Sequence, residues 1–223
     1  NEKIEDVSSN RSRGFIPFIG SGTGGSTALY GMALERFSPA DFFPKRYYPN
    51  AEDTTLPERW PVSYVELTPY YETAERLFRV RGTSDPLREN NPADYLLKHP
   101  PFDTASEELY KFFLNKGLHP YHLPMACEYV KECKCCQGFL CDNDCKNDSA
   151  RICLTPAITK FGAHLLDECD VLKLEATRND VTGVVCLWRG RRLTLRAAVV
   201  VLAAGALGTP RLLLNSSSTL WPN

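Results

Sequence analysis

The sequence predicts a mixed α/β fold with α+β character, and three stretches carry that expectation. Residues 20–25 place four glycines, Gly20, Gly22, Gly24 and Gly25, between a short apolar run, Phe15–Ile19, and a helix-like segment, Ser26–Phe37. Residues 169–203 hold three strand-like runs in succession. The last ends in Val199-Val-Val-Leu-Ala203, the continuous apolar pattern of a strand buried on both faces, and small residues and a helix-like run, Leu207–Leu214, follow it. Between these two ends the pattern is helical and irregular.

Bulk properties bound the function. A chain of 223 residues with 43% hydrophobic content can pack a core as one domain or two small ones. A net charge of -1 gives no electrostatic reason to expect nucleic acid or an anionic membrane as partner. No apolar run approaches the roughly 20 residues of a membrane-crossing helix. The polar start has no initiator Met and no signal-peptide core, and the end stops just after a helix-like run. The chain therefore reads as an internal piece of a longer enzyme, and the lack of a visible leader favours the cytoplasm.

In order, residues 1–14 are polar and charged and read as a loop or tail. Phe15–Ile19 reads as a strand or extended segment. In Ser26–Phe37 the residues Ala28, Leu29, Met32, Ala33 and Phe37 are spaced to form one apolar helix face. Residues 38–62 are rich in proline and aromatics and read as irregular. Ser63-Tyr-Val-Glu66 is a capping-box pattern that predicts a helix over about 65–80, with Leu67, Tyr70, Tyr71, Ala74, Leu77 and Phe78 inward. Pro69 leaves two short helices as the alternative. Ser106–Lys116 predicts another helix, with Gly117 just past its end. Thr155–Cys169 predicts a third. Cys169–Ala176, Val181–Arg189 and Arg191–Ala203 predict strands, with a turn at Asn179-Asp180.

The glycine loop is the first chemical signal. Glycine permits positive φ and brings backbone N–H groups close to a ligand. A helix start just after such a turn suits a phosphate. Thr23, Ser26 and Thr27 add hydroxyls. Gly20, Gly22 and Gly25 match G-x-G-x-x-G, but a dinucleotide unit would next supply a second strand ending in an acidic residue. Here Phe37-Ser-Pro-Ala-Asp-Phe-Phe-Pro44 follows instead. The alternatives are a ligand-facing glycine loop of another kind and an ordinary turn before a helix. The second signal is Ala203-Ala204-Gly205, where small residues let backbone touch a ligand, or else allow close strand–helix packing.

Seven of nine cysteines fall between Cys127 and Cys153. Their order, Cys127-x5-Cys133-x-Cys135-Cys136-x4-Cys141-x3-Cys145-x7-Cys153, lacks paired C-x-x-C knuckles, which disfavours zinc. Thiolates this dense can hold a metal or an iron–sulfur cluster, or stand as free thiols and disulfides. Asn10-Arg-Ser12, Asn147-Asp-Ser149 and Asn215-Ser-Ser217 fit the glycosylation pattern and read as chance matches.

Four stretches together resemble the glucose–methanol–choline family of FAD-dependent oxidoreductases. Gly22-Thr-Gly-Gly-Ser-Thr-Ala-Leu-Tyr-Gly31 is similar to the family's first signature. Trp60-Pro-Val-Ser-Tyr-Val-Glu-Leu-Thr-Pro-Tyr-Tyr-Glu-Thr-Ala-Glu75 is similar to a second family stretch. Gly162-Ala163, Cys169-Asp-Val171 and Val181-x-Gly-Val184 form a third. Ala203-Ala-Gly-Ala-Leu-Gly-Thr-Pro-Arg-Leu-Leu-Leu214 resembles the second signature. They come in the family's order and cover most of residues 18–216.

The resemblance implies a Rossmann-like FAD-binding domain segment with an inserted, partly irregular substrate-domain excursion. Residues 1–36 would be the flavin-contacting loop and helix, 37–160 the excursion with the cysteine-rich loop, 161–216 the return to the FAD domain, and 217–223 the start of a further segment. It implies FAD contacts at Gly22, Thr23, Gly24, Gly25, Ser26, Thr27, Val171, Ala203, Ala204 and Gly205, with Val171 meeting the adenine through its backbone. The implied chemistry is oxidation of an alcohol or sugar, in which a base takes the hydroxyl proton and hydride passes to flavin N5. The family's N-terminal fingerprint and its catalytic His are not found here. None of His99, His119, His122 and His164 sits in that motif, so no catalytic residue is assigned.

Some sugar dehydrogenases of the family carry an iron–sulfur cluster, and Cys135-Cys136-x4-Cys141 resembles their motif. That alternative implies electrons passed to a protein or quinone acceptor. A third reading, from outside the enzymes, is a non-catalytic binding or interaction module, a degenerate or truncated copy that cannot hold FAD.

Overall fold

The structure, a computed structural model, describes residues 3–8, 11–50, 54–88, 95–219 and 221. It divides into two compact units, Asn1–Phe161 and Gly162–Asn223.

The first unit opens with a small antiparallel pair, β1 (Ile4–Asp6) and β2 (Arg13–Phe15), with Ile4 opposite Phe15. The polar start is thus a hairpin and not a featureless tail, and Ile16–Ile19 continues outside any strand. The helix expected over Ser26–Phe37 does not form. A single 3-10 turn, Gly25–Ala28, is followed by extended chain. Met32 takes φ 63, Ala33 bridges Met125, and Ala126 N–H donates to the Met32 carbonyl at 2.8 Å. Tertiary pairing overrides the helical spacing here, as it can wherever local propensity is weak.

Two further 3-10 turns, Pro39–Phe42 and Pro44–Tyr47, lead to α1 (Tyr64–Leu77). The capping box forms as expected: the Ser63 hydroxyl accepts from Glu66 N–H, and Glu66 accepts from Ser63 N–H at 2.8 Å. The helix runs unbroken through Pro69, and the Thr68 hydroxyl donates to the Tyr64 carbonyl beside it. Its inward face differs from the apolar spacing. Tyr70, Ala74 and Leu77 are exposed, whereas Glu75 is buried against Arg36. α2 (Thr104–Asn115) is capped by Asp103 and closed by Gly117, where Leu118 N–H bonds Phe113 O and Gly117 N–H bonds Leu114 O. α3 (Thr155–Phe161) follows a π turn, Ala150–Leu154. It stops well short of Cys169, since Gly162 takes φ 68.

The core of this unit is Met32, Cys127 and Cys145, flanked by Tyr30, Met125, Tyr129, Cys133 and Cys141. Met125 bridges both Ala33 and Arg81, and Cys127 bridges Lys146. The cysteine loop therefore wraps the extended chain that follows the glycine turn.

The second unit is a three-stranded antiparallel meander, β3 (Cys169–Ala176), β4 (Val181–Trp188) and β5 (Arg191–Leu195), with α4 (Gly205–Asn215) packed on β3. Arg189 and Gly190, both at positive φ, make the two-residue turn between β4 and β5. A bulge between Val171 and Lys173 interrupts β3, and the Ser216 hydroxyl accepts from Leu174 N–H at 2.8 Å. Leu174, Val185, Cys186 and Leu212 are buried.

The architecture is mixed helix and small antiparallel sheet. Val199–Ala203, expected as a doubly buried strand, lies outside any strand, and Val199 and Val201 are 75% and 80% exposed. Among the described residues no strand pairs with it, and a strand without neighbours leaves its ladder groups to water.

Candidate functional site

The glycine turn is built from one side only. Gly24 (φ 88) and Gly25 (φ 54) lie in left-handed conformations that favour glycine. A Cβ placed on Gly22 or Gly25 would meet nothing within 4 Å, so this face of the turn is open to a ligand. Gly20 N–H donates to the Ser26 hydroxyl at 3.3 Å, which folds the loop back on itself. Thr23 and Ser26 are exposed and Thr27 is half-buried.

The rear of the turn is held by residues 146–149. The Thr27 hydroxyl donates to the Gly24 carbonyl at 2.6 Å, and the Ser149 hydroxyl donates to the same carbonyl at 3.0 Å. Ser149 N–H donates to the Thr27 hydroxyl at 2.9 Å. Lys146 is buried, and its ammonium donates to the carbonyls of Ala28, Tyr30 and Phe139 at 3.1, 3.1 and 2.8 Å. All three of its N–H donors are thereby satisfied. The Tyr30 hydroxyl donates to the Asn147 carbonyl at 2.6 Å. Burial first, then the Asp148 charge, pushes the Tyr30 phenol up, so it stays a neutral donor.

Asn147 is fully buried and ties this brace to the rest of the unit. Its amide donates to Phe78 O at 2.8 Å and to Glu128 at 3.1 Å, and its oxygen accepts from Arg151 at 2.6 Å. An acceptor so enclosed fits the reading of its glycosylation pattern as a chance match. Apart from the Asn147-Asp-Ser149 glycosylation match, residues 146–149 carry no chemical signal in the sequence. The trace they leave is a run of polar residues at the end of a dense cysteine segment, which marks buried hydrogen bonding only in retrospect.

The cysteines gather differently from the adjacent-cysteine expectation. Cys135 is exposed and Cys136 half-buried. The closely packed thiols are Cys127, Cys133 and Cys145, whose sulfurs lie within 4.8 Å of one another, with Cys141 beside Cys145 at 3.3 Å. Burial pushes the Cys127 thiol up to about 12. For Cys141, burial is outweighed by hydrogen bonds from Cys145 and from the backbone N–H groups of Lys146, Cys145 and Asn143, which bring it down to about 7.

In the second unit, Val171 lies on β3, the edge strand of the meander, paired on one side with Cys186. Ala203, Ala204 and Gly205 are exposed at the start of α4, and a Cβ on Gly205 (φ 79) would meet nothing within 4 Å. The Thr209 hydroxyl accepts from Ala204 N–H at 3.2 Å.

An aromatic cleft of about 750 Å³ also lies in the first unit, lined by Phe42, Phe43, Arg59, Trp60 and Tyr64. The carboxylate among its lining residues, Glu66, is occupied in the α1 cap. His122 stacks between His99 and Phe102, with ring centroids 3.1 and 4.1 Å away, and burial lowers its pKa. No helix among the described residues is long and apolar enough to cross a membrane.

Comparison with known proteins matches residues 122–219 to GMC oxidoreductases. A paromamine 6'-oxidase of Streptomyces fradiae is 32% identical over 211 residues, covering 90% of this chain and 37% of that protein. A 6'''-hydroxyparomomycin C oxidase of Streptomyces lividus is 29% identical over 230 residues, covering 93% and 39%. An oxygen-dependent choline dehydrogenase of Staphylococcus saprophyticus is 27% identical over 203 residues, covering 85% and 32%. The chain spans less than two fifths of the length of these relatives.

Proposed function

The chain belongs to the GMC oxidoreductase family, and from that premise we propose that it forms part of an FAD-dependent enzyme that oxidises the CH–OH group of a small alcohol or sugar. The observation that carries the reading is the Gly22–Thr27 turn, open on one face and held by Thr27 and Ser149 on the other. A rigid turn without side chains on its outer face suits the close backbone approach that a flavin nucleotide needs.

The residues present fit that group. Gly22, Thr23, Gly24, Gly25, Ser26 and Thr27 offer backbone and hydroxyl groups from the first unit. Val171 offers the backbone of an edge strand, and Ala203, Ala204 and Gly205 offer a helix start without bulk. When bound, FAD supplies the two-electron acceptor. The chain's own contribution is positional: Thr27 and Ser149 fix the Gly24 carbonyl, and Lys146 fixes the backbone that leaves the turn. No proton-transfer step is assigned to this chain; His122 is held in a ring stack with His99 and Phe102.

The test is the absorbance spectrum of the intact protein, followed by anaerobic addition of candidate alcohols and sugars. One flavin per chain that bleaches with an alcohol supports the reading. A colourless protein that takes up no added FAD would sink it. Gly25→Val is expected to lower flavin content at least tenfold with the far-UV spectrum unchanged.

A further inference from the structure

The cysteine loop has a geometry of its own. Sulfur–sulfur separations are 3.7 Å for Cys127 and Cys133, 3.2 Å for Cys133 and Cys145, and 3.3 Å for Cys141 and Cys145. All are free thiols, well beyond the roughly 2.0 Å of a disulfide. A single tetrahedral Zn²⁺ with bonds of about 2.3 Å holds its sulfurs about 3.8 Å apart. Cys127, Cys133 and Cys145 lie within 4.8 Å of one another, three thiols gathered around one small centre. A multi-iron cluster spreads its thiolates over several metal atoms and needs them farther apart.

Backbone explains how a sequence without paired knuckles reaches this arrangement. The isolated Cys127–Lys146 bridge and the Glu128 N–H bond to Cys145 O at 2.8 Å set Cys127 and Cys145 on neighbouring segments. A turn closed by Cys133 N–H on Val130 O brings the third sulfur in. Cys141 lies outside the trio whose sulfurs are all within 4.8 Å of one another, but its sulfur touches Cys145 at 3.3 Å and takes hydrogen bonds from the backbone N–H groups of Asn143, Cys145 and Lys146, so it is the fourth ligand if the loop closes by a small movement. Such N–H donors orient and stabilise a metal-bound thiolate.

Two further observations point to a ligand here. Tyr129, Glu132, Cys135 and Asp144 all hold positive φ, a conformation that costs non-glycine residues energy and persists where surroundings enforce it. The loop has no helix or strand of its own to do so. Lys146, buried next to Cys145 in sequence, places a cation on the loop where a tetrathiolate zinc centre carries excess negative charge.

We propose that Cys127, Cys133, Cys141 and Cys145 bind one Zn²⁺ as a closed, structural site. Binding forms four zinc–sulfur bonds and releases the thiol protons to solvent, with no change of oxidation state. The site stands directly before Lys146–Ser149, so the ion anchors the brace behind the Gly24 turn. Only this coupling to the turn rests on the flavin reading.

The test is elemental analysis of the intact protein purified without chelator, with flavin measured separately on the same sample. One zinc per chain is expected, released by a mercurial in step with the last four thiols to react after the accessible ones outside the site. Replacement by Co²⁺ is expected to give the visible and near-ultraviolet bands of a tetrahedral thiolate site. Cys133→Ser and Cys141→Ser should lose the metal, whereas Cys153→Ser and Cys169→Ser should keep it. The mercurial titration on unmodified protein decides the matter where a variant fails to fold. Metal-free protein with these thiols free or disulfide-bonded overturns the proposal, as does iron with acid-labile sulfide. Zinc without flavin leaves the site standing and removes the flavin reading; flavin without zinc does the reverse.

Discussion

Ser149 and Gly24 stand 125 positions apart in sequence, and the Ser149 hydroxyl donates to the Gly24 carbonyl at 3.0 Å. That bond joins the end of the cysteine loop to the point where the glycine turn changes direction. Ser149→Ala removes one donor to a carbonyl that keeps the Thr27 hydroxyl, so the fold should survive with a loss of about 1 kcal/mol. The turn should loosen and flavin dissociation should rise severalfold. Fluorescence titration of the apoprotein with FAD measures the second effect and a thermal melt the first. Ser149→Thr, which retains the hydroxyl, should restore both.

Lys146 is the stronger brace. Its ammonium satisfies three carbonyls converging from Ala28, Tyr30 and Phe139. Lys146→Met fills a similar volume but leaves those buried acceptors without that donor. A loss of about 3 kcal/mol is expected, read as a lower urea midpoint at unchanged slope. Lys146→Arg should be little better, because a planar fork cannot address three acceptors arranged around a point.

What the sequence revealed of this fold was local. Ser63 and Glu66 announce α1 because a capping box is complete within four residues. Gly117 announces the end of α2 because its bonds go back to the preceding turn. Asn179-Asp180 lies in the turn between β3 and β4, which Thr177 N–H closes on Asp180 O. Some misses are local, such as the early end of α3 at Gly162, but the larger ones are long-range. Ala28, Leu29, Met32, Ala33 and Phe37 have helical spacing, yet the segment is extended because Met125 and Ala126 pair with it. Val199–Ala203 has the composition of a central strand but no partner among the described residues. The open glycine turn at 22–27 was legible from its residues; Lys146, Asn147 and Ser149 behind it were not, since polar residues look alike in sequence whether buried or exposed.

Arg36 and Glu75 show the same limit and offer a test. Helical spacing placed apolar residues inward on α1, yet the buried residue is Glu75, paired with Arg36 at 2.6 and 2.8 Å. The guanidinium also lies 5.3 Å from the ring centroids of Tyr71 and Tyr95. Glu75→Ala strands a buried cation and should cost about 4 kcal/mol. The double variant Arg36→Met with Glu75→Leu should recover most of that loss, because it removes both charges from the interior. A pair of denaturation curves decides it: a double variant no more stable than Glu75→Ala would show that the pair's value lies in geometry other than its charge.

Glu128 sets the acid limit of the same framework. Burial works against its ionisation, but hydrogen bonds from Arg79 at 2.6 Å, Arg81 at 2.9 Å and Asn147 at 3.1 Å outweigh it and hold its pKa at about 2. A carboxyl whose folded pKa lies below its unfolded value stabilises the fold fully above the unfolded value. That stability is lost as pH falls toward the folded one. The window here runs from about pH 4.5 down to about pH 2. Half-exposed Arg79 screens part of the effect, leaving about 2 kcal/mol. Glu128→Gln should therefore be less stable at pH 7 and show a flatter decline with acid than the unmodified protein. Because Asn147 is shared between Glu128 and the brace, protonating Glu128 should free the turn before the unit unfolds. Flavin release followed by fluorescence at falling pH should then precede the loss of helical signal. Simultaneous loss of both would show that Glu128 supports the unit as a whole and not the turn in particular.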